Sequence, residues 1–340
     1  MKISTGLDVG TYSIKLLELS KQGSAYRVHK AMIVPNTLGI VMPAQDADRV
    51  KLVTLMKQAF KESKFHMDNV RAGIPESFVS TKIISIPPLS DQELASAIGW
   101  QAEQYIPIPG EDLQLEYHVL FRPPKTDMTS LMRVLLVGVS KSFINKYSDL
   151  YYDADLGISS LETHVLSLYR MALLDENLPT TMVIHIGSST MDIFVVHERE
   201  LAFVYSYPNG GTVLSRTIER AIGLDPLQSE EYKRTYGLDE AQLEGKIRNA
   251  LLPVLQTFVA EIQKSMQYFS GSHQGTPIKR LLLSGGTAAL PNLAPVLAQA
   301  LPVEVAPLTI PTLGFEQGVQ VPTADLPAYN IALGLALGGL

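Results

Sequence analysis

The sequence contains two copies of one glycine-turn pattern, and this duplication constrains the fold more than any other feature. The first copy spans Gly6–Leu19 and the second spans Val183–Val196. In each copy an apolar stretch leads into a short turn that carries a glycine, Gly10 or Gly187, and a second apolar stretch follows. Every residue of the second copy lies 177 positions after its counterpart. A duplicated strand–turn–strand unit predicts two similar halves that face each other across a cleft.

The first turn has the composition of an anion-binding loop. Gly10 allows the backbone to approach a ligand closely, and Thr11 and Ser13 carry hydroxyl groups. Consecutive free N–H groups in such a turn suit phosphate oxygens. Asp8 ends the first strand, where its carboxylate is suited to hold a metal-bound water.

A third glycine turn follows a strand later in the chain. Ile278–Ser284 has the apolar composition of a buried strand, and Gly285 and Gly286 come directly after it. Pro291 then stands near the start of an apolar helix. Three glycine turns at strand ends, in this order, are more specific than any one of them.

The composition limits the class of protein. A chain of 340 residues with 46% hydrophobic content exceeds the usual span of one compact domain, which predicts two lobes. The formal net charge of −6 provides no basic surface of the kind that nucleic-acid binding needs, so we expect no nucleic-acid partner. The sequence has no cysteine, which excludes disulfides and thiolate metal sites and fits a reducing cytoplasm.

The sequence also lacks the patterns of secretion and of membrane insertion. The N-terminus leads straight into a strand, and no run reaches the roughly 18 apolar residues that a membrane helix needs. The longest candidate, Ile331–Leu340, is far too short. We therefore expect a cytoplasmic protein that reaches a membrane only through a partner.

The three turns together resemble the actin/Hsp70/sugar-kinase superfamily of nucleotide-binding proteins. Within it, the stretches Ala102–Pro107, Ser229–Gly237 and Ala332–Ala336 resemble the PilM family of actin-like type IV pilus assembly proteins. The resemblance runs from about the first residue to the last. It implies an α/β, two-lobed actin-like fold, a duplicated ribonuclease-H-like architecture, with a small α+β subdomain inserted in the first lobe.

The region of the insertion has its own order of elements. Val79–Ile86 is predicted to be a strand, and Ser90 and Glu93 form a capping box that starts a helix through Tyr105. Two strands, near 115–121 and 131–139, and a helix over 141–155 follow. Strand, helix, two strands and helix make a small α+β unit.

The predicted boundaries divide the chain into lobes. The first lobe covers 1–80 and continues at 156–178, after the insertion at 81–155. The second lobe comprises 179–223 and 276–325, and a helical, nucleotide-covering subdomain spans 224–275. Residues 326–340 are predicted to return to the first lobe as a final helix.

The resemblance assigns the three turns to one nucleotide, ATP or ADP. It implies that the first two loops hold the phosphates, that a glycine pair at a helix N-terminus lies near them, and that the third turn frames the adenosine. Glu230 and Lys233 would contact the ribose and base, and the alternative for these two residues is a solvated ion pair. The nucleotide-binding residues predicted in this way are Gly10, Thr11, Ser13, Lys15, Gly187, Ser188, Ser189, Gly210, Gly211, Glu230, Lys233, Gly285, Gly286 and Thr287.

Three positions bear on catalysis. Asp8 is predicted to hold Mg²⁺ through water, and Glu162 matches the acidic residue that some actin-like relatives use to orient the attacking water. The alternative for Glu162 is a carboxylate that stabilises a helix N-terminus. Relatives that hydrolyse ATP well have Asp where this chain has His185, and imidazole is a poor ligand for Mg²⁺. We therefore expect ATP binding with weak or absent hydrolysis.

The inserted subdomain is the predicted partner-binding module. The resemblance implies a groove between it and the first lobe that receives the cytoplasmic N-terminal tail of an inner-membrane PilN-like protein. Trp100, Tyr105 and Ile106 are the predicted groove residues, and the alternative is that Trp100 belongs to the core. The resemblance implies peripheral association with the inner membrane through this partner. Two further interactions stay open: contact with components of the pilus motor ATPase, and self-assembly of this chain.

Other functions share parts of this pattern. A small-molecule kinase of the same superfamily would need a catalytic Asp or Arg set facing a substrate pocket, and we find no such motif. The division protein FtsA shares the inserted subdomain but uses a C-terminal amphipathic membrane helix, which we do not expect after Gly338–Leu340. A type II secretion relative would continue into a membrane span, and a competence-system relative stays open. The resemblance favours pilus assembly over these alternatives.

Overall fold

The first of three sheets forms the first lobe. The computed structural model describes residues 2–124, 127 and 129–340, and all three sheets are built from this part of the chain. From one edge to the other, the strands of the first sheet are β14 (Leu313–Phe315), β3 (Ala25–Pro35), β2 (Ser13–Gln22), β1 (Ile3–Val9), β4 (Val70–Ile74) and β8 (Ile158–Thr163). Strand β1 pairs antiparallel with β2 and parallel with β4. Strands β1 and β2 are largely buried on both faces, which explains their nearly continuous apolar composition.

The second sheet repeats this pattern. Its strands, from edge to edge, are β11 (Glu200–Tyr207), β10 (Met191–His197), β9 (Thr181–Ile186), β12 (Arg280–Ser284) and β13 (Glu304–Pro307). Strand β9 pairs antiparallel with β10 and parallel with β12, as β1 does with β2 and β4. In the hairpins, Asp8 lies opposite Lys15 and His185 lies opposite Asp192. The duplication predicted from the sequence is therefore present in the strand pairing.

Helices cover both sheets and join the lobes. Their bounds are α1 (Asp46–Ser63), α2 (Asp91–Tyr105), α3 (Lys141–Asp153), α4 (His164–Ala172), α5 (Gly211–Ile222), α6 (Pro226–Tyr236), α7 (Lys246–Ser272), α8 (Leu293–Ala300) and α9 (Asn330–Leu337). Helix α9 is buried along its whole length and packs on β1 and against α4. The C-terminal helix therefore packs on the first sheet. One core cluster contains Leu17 of β2, Phe194 of β10 and Leu335 of α9, so the hydrophobic core is continuous between the lobes.

The third sheet belongs to the inserted subdomain. It consists of β5 (Val79–Ile86), β7 (Met132–Ser140) and β6 (Leu113–Phe121), all antiparallel. Helix α2 packs on it through Leu94, Ile98 and Ala102, which recur every four residues on one helical face. The predicted capping box is present, because Ser90 Oγ accepts from Glu93 N–H and the Glu93 carboxylate accepts from Ser90 N–H.

The structure differs from the prediction in helix α3. The sequence analysis placed this helix in the inserted subdomain, but its buried face belongs to the core of the first lobe. Tyr147 and Tyr151 pack there with Leu52 and Phe60 of α1, and the Tyr147 hydroxyl donates to the Gly73 carbonyl at 3.0 Å. The aromatic face of α3 is therefore buried against the first lobe, whereas α2 packs on the inserted sheet.

Two further assignments also change. The prediction placed the whole of 276–325 in the second lobe, but β14 pairs parallel with β3 at the edge of the first sheet. The alternative for Glu162 placed it at a helix N-terminus, but strand β8 extends to Thr163, and the Thr163 hydroxyl caps α4 by accepting from Leu166 N–H. Glu162 therefore lies in a strand and not in the first turn of the helix.

Candidate functional site

The two duplicated turns have the same backbone geometry. Gly10 N–H donates to the Ser13 carbonyl at 3.1 Å, and Gly187 N–H donates to the Thr190 carbonyl at 2.9 Å. These two bonds join equivalent positions of the two copies. The sequence repeat thus encodes a repeated three-dimensional turn.

The two turns meet between the lobes. The hydroxyl groups of Thr11 and Ser188 are hydrogen-bonded to each other, although the residues are far apart in sequence. The second turn is also held by the start of α5, since Gly211 N–H donates to the Gly187 carbonyl at 2.8 Å. A Cβ atom at Gly210 would lie 2.5 Å from the Gly187 oxygen, so only glycine permits this approach. These hydrogen bonds join the first turn, the second turn and the start of α5, so residues of both lobes are held together at this point.

A cavity of about 200 Å³ opens beside the joined turns. The first lobe contributes Tyr12, Ser13, Lys15 and Ile33 to its wall, and the second lobe and the 324–328 segment contribute the rest. Nine of the predicted nucleotide-binding residues line it: Ser13, Lys15, Gly187, Ser188, Gly211, Glu230, Lys233, Gly286 and Thr287.

The other predicted residues lie behind or beside this cavity. Gly10 and Thr11 form the first turn, and Gly210 packs behind the second. Gly285 has a φ of +90°, and a Cβ atom there would lie 2.4 Å from the Ile186 oxygen. Only glycine therefore fits at this turn. Ser189 is exposed and does not line the cavity.

Glu230 and Lys233 are brought together at one end of the cavity. They form an ion pair of 2.6 Å with side chains only 17% and 7% exposed, so the solvated-pair alternative is wrong. Lys233 Nζ also donates to Ser215 Oγ at 3.0 Å and to the Gly211 carbonyl at 3.2 Å. Burial lowers the pKa of Lys233, and the charge of Glu230 opposes that change. This network connects α6 to the start of α5.

At the other end of the cavity, Asp8 is paired with Lys15. Lys15 Nζ lies 3.1 Å from Asp8 Oδ2. Burial opposes ionisation of Asp8, but the charge of Lys15, together with His164 and His185, outweighs it and lowers the pKa of this carboxyl. Asp8 is therefore ionised at neutral pH.

Two buried histidines flank Asp8. Burial lowers the pKa of His185 to about 3 and that of His164 to about 4, so both imidazoles are neutral. His185 Nδ1 is 3.0 Å from Ser284 Oγ. His164 Nε2 is 3.5 Å from Asp8 Oδ1, and within the described part of the chain neither of these two atoms has a hydrogen-bond partner.

The comparison with protein families identifies the chain. The model of the family described as type IV pilus assembly protein PilM matches residues 6–340. The chain belongs to the PilM family.

Solved structures show the same fold as this PilM-family chain. A chain of the PilM–PilN type IV pilus biogenesis complex is 24% identical with a TM-score of 0.84, and the match covers 99% of this chain and 98% of that one. The ethanolamine utilization protein EutJ from Carboxydothermus hydrogenoformans is 15% identical with a TM-score of 0.57, over 99% and 90%. MreB5 of Spiroplasma citri bound to AMPPNP is 11% identical with a TM-score of 0.53, over 99% and 96%. The predicted actin-like fold class is confirmed.

The residues around Asp8 do not fit the magnesium ion that the actin-like fold implies. Mg²⁺ prefers several oxygen ligands, yet the side chains next to Asp8 are one lysine and two imidazoles. Among residues 2–124, 127 and 129–340, no group of three or more His, Cys, Asp or Glu is arranged to hold a metal. The predicted role of Asp8 as a magnesium ligand through water gains no support from this geometry.

Glu162 lies away from the cavity of the PilM-family chain. Both carboxylate oxygens of Glu162 accept hydrogen bonds from the Arg170 guanidinium, and Arg71 lies 3.7 Å away. Glu162 is 10% exposed and is not among the cavity-lining residues. A carboxylate held in this way is suited to a structural role, and the prediction that it orients water gains no support.

The predicted partner-binding residues have different environments. Trp100 is 80% exposed on α2 and Tyr105 is 42% exposed, so the alternative that Trp100 is core is wrong. Ile106 is 3% exposed and packs against Gly138 of β7, which makes it a core residue of the inserted subdomain.

In the described residues, no helix has both the length and the apolar character needed to cross a membrane.

Sequence reasoning missed three residues of the PilM-family site. Tyr12, at the tip of the first turn, and Arg234, one helical turn after Glu230, both line the cavity. The Arg234 guanidinium also pairs with Asp325 at 3.1 Å. Tyr12 and Arg234 could have been predicted from the sequence, because each is adjacent to a predicted site residue. His164 could not, because only the fold brings it next to Asp8.

Proposed function

We propose that this chain binds an adenine nucleotide in the cleft between its lobes, with the phosphates at the joined turns. The observation that carries the proposal is the hydrogen bond between Thr11 and Ser188. It brings two turns that are closed by equivalent hydrogen bonds together over one cavity that both lobes line. Turns of this kind present backbone N–H groups to anions.

The rest of the cavity suits a nucleoside. Ala289, Leu290 and Ala328 give it apolar walls, and the Glu230–Lys233 pair provides charged groups for ribose hydroxyls. A site with apolar walls and a few placed polar groups is the usual form of a small-molecule pocket. Phosphates at the turns would leave the base near Leu290.

A cavity-filling variant tests the proposal. A Cβ atom at Gly286 would meet no atom within 4 Å, so Gly286→Val adds bulk at the cavity wall without a clash in the protein. We expect it to weaken binding of a fluorescent ATP analogue by at least about tenfold. Gly271→Val in α7, where a Cβ atom also meets nothing within 4 Å, is the matched control. Equal affinity for both variants would refute the proposed location.

We also propose that hydrolysis is slow or absent. His185 stands opposite Asp192 in the second hairpin, at the place that corresponds to Asp8 in the first, and it is neutral. A neutral imidazole supplies no negative charge to polarise a water or hold a hard cation. Phosphate release should be near background for the wild type and faster for His185→Asp. Brisk release by the wild type would contradict the proposal.

The partner that we propose is the cytoplasmic tail of a PilN-like inner-membrane protein, within the type IV pilus machinery. Support comes from family membership and from the likeness to a chain of the PilM–PilN complex. The inserted subdomain exposes Trp100, and large exposed aromatic residues are enriched where proteins bind partners. Tail binding would hold this chain peripherally at the inner membrane.

A peptide-binding measurement separates this surface from other exposed aromatics. Trp100→Ala should weaken binding of a synthetic PilN-like tail peptide by at least about tenfold, the usual effect of losing an aromatic anchor. Tyr152→Ala is the matched control, because Tyr152 is 81% exposed on α3, outside the inserted sheet. If the two variants bind the peptide equally, Trp100 is not the anchor.

A further inference from the structure

The phosphate end of the cleft contains a fixed cation where a magnesium site would need anionic ligands. Lys15 and Asp8 are only 15% and 3% exposed, and their charged atoms are 3.1 Å apart. A Cβ atom at Gly10 would lie 3.0 Å from Lys15 Nζ, so the ammonium group sits against the backbone of the first turn. Lys15 also lines the cavity. Its charge is therefore held at the place proposed for the phosphates.

In the described residues, the second hairpin contributes no carboxylate to the wall of the cavity. The pair Asp8–Lys15 of the first hairpin corresponds to the pair His185–Asp192 of the second, and only His185 of the latter pair lines the cavity. Asp192 is 1% exposed, and its carboxylate accepts hydrogen bonds from the hydroxyls of Ser206 and Thr190. The Asp192 carboxylate is thus engaged by two hydroxyls away from the cavity wall, whereas the Asp8 carboxylate lies next to Lys15.

We propose that Lys15 neutralises the nucleotide phosphates in place of a divalent cation, so that this chain binds its nucleotide without magnesium. The inference rests on the proposed nucleotide-binding function. The Lys15 ammonium group already contacts one carboxylate oxygen of Asp8, so a divalent ion at this end would compete with Lys15 for that carboxylate. Mg²⁺ favours oxygen ligands over imidazole, whereas a lysine ammonium is a common phosphate binder.

The test compares one affinity in two buffers. Binding of a fluorescent ATP analogue to the full chain is measured with excess magnesium chloride and with EDTA. We expect the two dissociation constants of the wild type to agree within about threefold. Lys15→Met should weaken binding at least about tenfold in both buffers, because it removes the charge and keeps the apolar stem. Lys21→Met, on the same strand at an exposed position outside the cavity, is the matched control.

A second variant tests whether the lack of a carboxylate at position 185 makes binding independent of magnesium. His185→Asp places a second carboxylate beside the turns and should make binding magnesium-dependent by at least about tenfold. Loss of wild-type binding in EDTA would overturn the inference while leaving the proposed function intact. Absence of binding in both buffers would overturn both. The wild-type comparison needs no variant, so it decides the matter even if Lys15→Met fails to fold.

Discussion

Within the described part of the chain, Glu76 is a buried carboxyl group that forms no ion pair, and its replacement by glutamine should change how stability depends on pH. Glu76 is 5% exposed and precedes the inserted subdomain. Its Oε1 accepts from Val165 N–H at the start of α4 at 2.9 Å, and its Oε2 accepts from the Thr81 hydroxyl at 3.3 Å. Glutamine keeps the shape and one acceptor oxygen but cannot ionise.

The size of the effect follows from the pKa of this group. Burial raises the pKa of Glu76 from 4.5 to about 7, the charge of Asp192 adds to the increase, and hydrogen bonds from Val165, Thr163 and Thr81 oppose it. Burial likewise raises the pKa of Asp192, to about 6, so Asp192 ionises first and its charge then opposes ionisation of Glu76. The two groups come from different lobes.

The stability of the folded chain changes with pH because the folded and unfolded chains bind the Glu76 proton differently. Between pH 4.5 and about 7 the folded chain keeps the Glu76 proton that the unfolded chain has lost, so stability falls as pH rises. Each pH unit in this window costs about 1.4 kcal/mol, so the loss from Glu76 is on the order of 3 kcal/mol. Glu76→Gln should remove this loss and be more stable than the wild type at pH 8, by up to about that amount.

Urea unfolding at pH 5 and pH 8, at constant ionic strength, measures the difference. The wild type should lose stability relative to Glu76→Gln between these two values. Glu103→Gln, which removes an exposed carboxylate on α2, controls for the change in surface charge. A stability difference between wild type and Glu76→Gln that stays constant within about 0.5 kcal/mol from pH 5 to pH 8 would refute the reasoning.

Three further substitutions test particular contacts. Thr11→Val removes the bond between the two turns, so nucleotide affinity measured by calorimetry should fall about fivefold, the equivalent of about 1 kcal/mol; unchanged affinity would mean that the bond does not hold the site together. Arg234→Ala removes the guanidinium that lies between Tyr12 and Asp325 and should raise the nucleotide dissociation rate up to about fivefold in stopped-flow experiments. Ser90→Ala removes the cap of α2 and should lower the free energy of unfolding by about 1 kcal/mol in urea titrations, whereas Ser96→Ala within the same helix should not.

Features encoded by neighbouring residues were predictable from the sequence. The glycine turns recur at a fixed spacing, and the structure gives them matching hydrogen bonds. The cap of α2 was also predicted, since Ser90 stands three residues before Glu93, which completes the capping box. Such features depend on spacing within one turn or one hairpin, and a pattern along the chain reports them directly.

Features that depend on distant burial were not predictable. The boundary of the inserted subdomain was misplaced because α3 has an amphipathic pattern that does not specify which core receives it. Glu162 was assigned to a helix start, yet strand β8 extends through it and Arg170 holds its side chain. For α3 the local pattern was correct and its packing partner was unknown, whereas for Glu162 the pairing of β8 with the distant strand β4 decided the element itself.

The sequence by itself determined the duplicated hairpins, the α/β class and the family, because these rest on repeated spacing and on motifs in short stretches. Only the tertiary structure decided which charges meet. Lys15 beside Asp8 is a cross-strand pair. The packing of α4 on the first sheet places His164 beside Asp8, and the packing of the two lobes brings Glu76 near Asp192. Burial removes water from these groups, and the cost of that desolvation depends on every element around them.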